Sequence, residues 1–175
     1  MAKKTLNFIL YAIAFLYIFV TLDLLFRFNI IAGLVDRSRS YNLIPFATIS
    51  RFLNSGRQTM SQSAVMNIFG NIGVFIPFGL YLQLFLKNKS FKKSFLILIV
   101  AGISIELIQL VLGVGVCDID DLILNSLGGV IGIILYKIAS LFSKDENKAK
   151  ASVTILSFVV SAPIIFGYFF MALRR

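Results

Sequence analysis

The chain of 175 residues is 58% hydrophobic and only 14% charged, with a mean hydropathy of +0.91, too little polar surface to wrap a water-facing globule. Its net charge of +9 sits between long apolar blocks, an arrangement that encodes membrane topology and not nucleic-acid binding. One cysteine, Cys117, and no histidine exclude an intrachain disulfide, His-based general bases and zincin-type metal sites.

Five apolar blocks follow in chain order. They run from about residue 6 to 28, 65 to 86, 95 to 112, 122 to 138 and 153 to 173, each near the ~20 residues that cross ~30 Å of hydrocarbon. The first is too long for the apolar core of a signal peptide and is read as an uncleaved span. The fourth is the shortest, and its helix is expected to start earlier, around Asp118. The fold class that follows is all-α: an integral membrane bundle of about five helices forming one domain over residues 1–175. The long connector, residues 29–64, mixes Asp36, Arg37, Arg39, Arg51 and Arg57 with the apolar run Leu43-Ile44-Pro45-Phe46. It is expected to lie in the interface or re-enter shallowly.

With the N-terminus inside, all ten lysines fall on the cytoplasmic side and all seven arginines on the other. This distribution predicts a multi-pass protein with the N-terminus inside and the C-terminus outside. Arginine, with its planar fork, is the better partner for phosphate or carboxylate, which makes Arg51 a candidate ligand-binding residue.

Polar residues within the spans are few. Asp23 and Arg27, four apart, suit an intrahelical ion pair. In the second span Asn67, Gly70, Asn71 and Val74 share a helical face, and Pro77 and Gly79 are expected to bend the helix beyond them. In the third, Gly102, Glu106, Gln109 and Gly113 form one stripe, with Glu106 roughly 10 Å from the outer end. A carboxyl at that depth is costly unless paired, protonated or facing a wet cavity. The fourth helix opens Asp118-Ile119-Asp120-Asp121, and Asp118, Asp121, Asn125, Gly128 and Gly132 share a face. Acids there suit a helix N-terminus, yet three together repel one another unless something positive sits among them. The three stripes are expected to converge at one outer level, with glycines letting the helices approach closely.

Asn67, Asn71, Gln109, Asp118, Asp121 and Asn125 are thus candidate ligand-binding residues, with Glu106 the candidate acid/base. Three functions suit them. One is binding of a lipid-linked or lipoglycopeptide-like amphiphile, its chain lying in a glycine-lined groove. Another is an enzyme acting on such a lipid, in which Asp118, Asp120 and Asp121 hold a hard cation, Mg²⁺ or Ca²⁺. The last is an ion-coupled transporter with Glu106 titrating; the lack of an internal repeat and of polar residues in the inner half of the spans speaks against it. Membrane lipids are partners in each.

The order and spacing of Asn42-Leu43-Ile44-Pro45-Phe46, Asn67-Ile68-Phe69-Gly70-Asn71 through Phe75-Ile76-Pro77-Phe78-Gly79, Ser104-Ile105-Glu106-Leu107-Ile108-Gln109 and Asp118-Ile119-Asp120-Asp121 with Asn125 and Gly128 resemble the VanZ-like membrane protein family, over a core of about residues 42–140. Some members carry an arginine shortly before the acidic run; Gly113 to Cys117 has none. The resemblance implies a bacterial cytoplasmic-membrane protein of the cell envelope. The name-giving member is associated with low-level resistance to teicoplanin, a lipoglycopeptide antibiotic that acts outside the membrane.

Overall fold

A computed structural model describes residues 2–27, 41–54, 62–87, 89–114, 116–142 and 146–173. The elements are α1 (Ala2–Leu22) with a π-helical extension (Asp23–Arg27), β1 (Tyr41–Asn42), α2 (Ala47–Asn54), α3 (Gln62–Phe85), α4 (Phe91–Leu112), β2 (Cys117–Asp118), α5 (Ile119–Leu141) and α6 (Glu146–Leu173). Among the described residues five stretches are long and apolar enough to span a membrane: Lys4–Leu25, Asn67–Phe85, Phe91–Leu112, Ile119–Leu141 and Ala151–Phe170. The fourth begins where the sequence places it, with Asp118 as the N-cap of α5. The chain stays helical through the buried Pro77.

Phe8, Phe15, Phe69, Val111 and Phe166 are all more than 60% exposed. Such an apolar exterior is stable only in lipid, where burying it gains nothing, so the helices are held by close packing and internal polar contacts. The closest packing joins α3 and α5. A Cβ on Gly79 would lie 2.0 Å from the Gly129 carbonyl oxygen, one on Gly128 2.2 Å from that of Ile72, and one on Gly132 2.1 Å from that of Ile76. The glycines therefore bring the two backbones together, as their spacing predicts. At Gly79, Gly128 and Gly132 the opposing helix fills the space a groove would need, and Gly102 is likewise covered by Leu122, whereas Gly70 has nothing within 4 Å of its Cβ position.

Around this pair, α4 packs on α5 and α6 packs on α1 and α3. One cluster joins Leu10, Ala14, Tyr17 and Tyr81; a second joins Phe75, Leu98 and Ile133; a third joins Leu80, Tyr136 and Val153. Buried Gln83 donates to Ser94 at 2.5 Å and ties α3 to α4 across their turn. At that end of the bundle Lys89 donates to the Tyr136 hydroxyl and Lys137 lies over the Phe91 ring.

At the opposite end α4 stops at Gly113, whose φ of +66° is the left-handed conformation glycine tolerates without strain. Its N–H donates to the Leu110 carbonyl and that of Val114 to Gln109, which closes the helix and turns the chain into β2. The π-helical end of α1 replaces the α-helical turn that the Asp23–Arg27 spacing predicts. Asp23 accepts a 2.8 Å bond from the Tyr168 hydroxyl, and the Arg27 side chain lies outside the described residues.

Candidate functional site

The acidic turn is built from the Asp118 backbone outward. β1 pairs in parallel with β2, Tyr41 opposite Cys117 and Asn42 opposite Asp118. This ties the long connector to the start of α5. The N–H of Asp118 donates to Glu106 Oε2 at 3.0 Å, so the buried carboxyl of α4 meets the turn. The Asp118 side chain caps α5 by accepting the Asp120 N–H at 2.9 Å. It also accepts from Asn42 Nδ2 at 3.2 Å and from the Thr48 hydroxyl at 2.7 Å.

Asp120 is fully buried and does different work. Its Oδ1 accepts the Phe46 N–H at 2.5 Å, and its Oδ2 accepts the N–H groups of Thr48 and Ile49 at 2.7 and 3.2 Å. These are unsatisfied donors at the start of α2, so a carboxylate from α5 caps a helix elsewhere in the chain. The capped turn holds Phe46 at a φ of +64°, unusual for a residue with a Cβ. No residue of α2 is buried, and Leu43, Ile44, Phe46 and Leu53 are each more than half exposed. That is the interfacial segment the sequence predicts, over residues 41–54. Asp36, Arg37, Arg39 and Arg57 lie outside the described residues.

Asp121 sits on the adjoining face. Its Oδ2 accepts from Asn67 Nδ2 at 3.4 Å, and Asn71 lies beside the same carboxyl. Its Oδ1 is buried without a hydrogen-bond partner, as is Oδ1 of Asn125 one turn further along α5. Asp121 also lies within electrostatic reach of Glu106. The three predicted stripes therefore converge between α3, α4 and α5 at one end of the bundle.

Two expected residues do other things. Gln109 turns from the acids to α1 and donates to the Leu25 carbonyl at 3.2 Å. Arg51 is exposed and donates back to the Ala47 carbonyl and to the Thr48 hydroxyl, which itself bonds Asp118. Among the described residues no group of three or more His, Cys, Asp or Glu is disposed to hold a metal ion. The Asp118 and Asp120 oxygens are taken by protein donors, so the cation set expected of Asp118, Asp120 and Asp121 finds no support in this geometry. Nothing in the spacing of Thr48 marks it in the sequence, since the acids it bonds lie seventy and more residues away.

The Cys117 thiol lies beside the turn, outside the spans. Burial raises its pKa, and the neighbouring carboxyls of Glu106, Asp118 and Asp121 raise it further.

An apolar groove runs along α1 and α3. One part, about 210 Å³, lies between α1, α3 and α4, where Leu22, Leu25, Phe75, Ala101 and Ile105 line it. A second part, about 230 Å³, continues along α1 and α3 past Ala14 to Leu86. The parts share Tyr17, Ile18 and Phe78. Gln109, bonded to Leu25, crosses the end nearest the acids. From Ala14 to Leu25 the groove runs about 17 Å at ~1.5 Å per residue, close to half of a ~30 Å hydrocarbon layer.

Comparison with known proteins agrees with this architecture. Residues 8–142 match the VanZ/LLP1 family model, a stretch that takes in most of α1 and every residue of the acidic turn. The chain is 31% identical to Protein VanZ of Enterococcus faecium over 130 residues, 74% of this chain and 71% of that protein. No solved structure matches. The convergence of Asn67, Glu106 and Asp121 at one end of a five-span bundle is thus set within a family-wide match, and the chain belongs to the VanZ/LLP1 family.

Proposed function

We propose that this protein binds a membrane amphiphile, lipid-linked or lipoglycopeptide-like, with the polar head at Glu106, Asp121, Asn67, Asn71 and Asn125 and one chain in the groove between α1, α3 and α4. Two observations support this reading: an apolar groove about one leaflet long, at whose Leu25 end the α4 residue Gln109 is bonded, and the buried, unpartnered oxygens of Asp121 and Asn125 on α5. Orphaned acceptors of this kind call for a donor-bearing ligand or water, and the groove calls for an acyl chain. Gln109 shapes the junction of the two.

In this reading the protein lies in the cytoplasmic membrane with its N-terminus inside, its C-terminus outside and the acidic turn facing out. The charge distribution supports that orientation: the lysines gather at the Gln83–Ser94 end, and Arg51 lies with the acids. Teicoplanin resistance is the envelope phenotype to expect, through capture of the antibiotic or of the lipid-linked precursor it competes for. Arg51 joins the site if it swings from α2 toward an anionic head. A second reading has Glu106 as general acid/base on such a lipid; its burial beside Asp121 favours it. A Mg²⁺ or Ca²⁺ ion in that reading would use Asp121, leaving Glu106 to proton transfer and Asp118 and Asp120 to their structural bonds.

Native mass spectrometry of protein extracted in mild detergent tests the binding. A bound amphiphile should survive on the parent and be lost from Ile18→Trp, which fills the groove, and from Asp121→Asn. An adduct retained equally by all three proteins overturns the reading.

A further inference from the structure

The interface of α1, α3 and α6 is a separate place, away from the acidic turn, where polar atoms are buried within the spans. On α6, Ser157 and Ser161 are both fully buried, and neither hydroxyl has a hydrogen-bond partner. This is unusual, because a helical serine ordinarily bonds the carbonyl one turn back, as Ser104 and Ser126 do here at 2.7 Å. The Tyr81 hydroxyl from α3 faces both serines and is itself buried without a partner. Beyond it, the Tyr17 ring lies 5.5 Å from that of Tyr81, and the unpartnered Thr21 hydroxyl neighbours Tyr17. Small residues alone would need no explanation at a helix–helix contact. Four buried hydroxyls from three helices that lie near one another without a completed hydrogen bond do need one. Buried polar groups left without a protein partner are ordinarily met by ordered water.

We infer that the α1–α3–α6 interface holds internal water, bridging Tyr81 to Ser157 and Ser161 and continuing past Thr21. The row begins at Ser157 and leads toward the Asp23–Tyr168 pair, about 16 Å along α6 at ~1.5 Å per residue. It gives the bundle a hydrated track through roughly half the hydrocarbon thickness, independent of any ligand at Glu106. On α6 most of this row lies in the half of the Ala151–Phe170 span nearer the acidic turn.

X-ray radiolysis of the full chain in nanodiscs, read by mass spectrometry, tests this, because bound water generates hydroxyl radicals in place and oxidises the aromatic ring beside it. Phe75, equally buried in an apolar cluster, is the control. Tyr81 should be oxidised well above Phe75, and its oxidation should fall at least about threefold when Ser157→Ala and Ser161→Ala remove the water's partners. Tyr81 as silent as Phe75 in the parent protein overturns the inference, whatever the variant does. So does unchanged Tyr81 oxidation in the folded double variant. If that variant does not fold, Ser161→Ala alone gives the same comparison.

Discussion

Removing the Asp120 carboxylate should release the interfacial segment and leave the bundle standing. Asp120 accepts three backbone N–H groups at the start of α2, from Phe46, Thr48 and Ile49. Hydrogen bonds to a charged group are each worth about 1.5–3 kcal/mol, but three on one carboxylate are not additive, and truncating a cap costs about 0.5–2 kcal/mol. A net loss of about 3 kcal/mol is a reasonable figure, which shifts the docked–undocked equilibrium by roughly a hundredfold. What remains is a two-residue strand pair and the bonds of Thr48 and Asn42 to Asp118, too little to compensate. In hydrogen exchange, the Thr48 and Ile49 amides of Asp120→Ala should lose about two orders of magnitude of protection. Amides within α3 and α5 beyond the first turn should keep theirs. Asp120→Asn should fall between, since an amide retains one acceptor oxygen and places an NH₂ against the other donors. Unchanged protection of Thr48 and Ile49 in Asp120→Ala would refute the assignment of Asp120 to helix capping.

Gly132→Val should be severely destabilised or fail to express, by about 3 kcal/mol or more, because its Cβ would meet the Ile76 carbonyl at 2.1 Å; Gly73→Ala, where nothing lies within 4 Å, should be neutral or gain about 0.5–1 kcal/mol, and thermal melts in detergent distinguish the two. Cys117 should react with an impermeant thiol reagent in intact cells if the acidic turn faces out; labelling only after permeabilisation contradicts that orientation. Because burial raises the thiol pKa, less thiolate is present at neutral pH than for a free cysteine, so the labelling rate should still be climbing above the pH at which an exposed cysteine levels off. Added Mg²⁺ or Ca²⁺ should raise the melting temperature of the parent and not of Asp121→Asn if a cation serves the enzymatic reading; equal shifts remove Asp121 from any metal site.

Much of the bundle is written in the chain because lipid imposes a simple rule: an apolar run of the right length must be a helix. The start of the fourth helix at Asp118 was legible for a local reason, since acids gather at a helix N-terminus. So was the close approach of α3 and α5, because Gly128 and Gly132 share a face whatever they meet. What the opposing helix does to that face is a tertiary fact, and the sequence suggested a groove where a backbone sits. The same limit hid the work of Asp120, whose partners lie more than seventy residues away. Gln109 shares a stripe with Glu106, yet its long side chain turns to the Leu25 carbonyl, an acceptor within the π-helical end of α1. Ser157 and Ser161, four apart on α6, carried a readable signal that an apolar background made easy to pass over.

The account rests most heavily on the acids of α4 and α5 serving a ligand and not merely holding helices together. Glu106→Gln and Asp121→Asn each keep the shape of the side chain and remove a charge that is expensive to bury. The direct measurement is the teicoplanin susceptibility of cells producing each variant, alongside its amount in the membrane and its melting temperature. Both variants should accumulate and melt at or above the parent temperature while the cells lose protection. Variants that fold equally well and protect as fully as the parent would contradict the account and reduce the acidic turn to a device for packing.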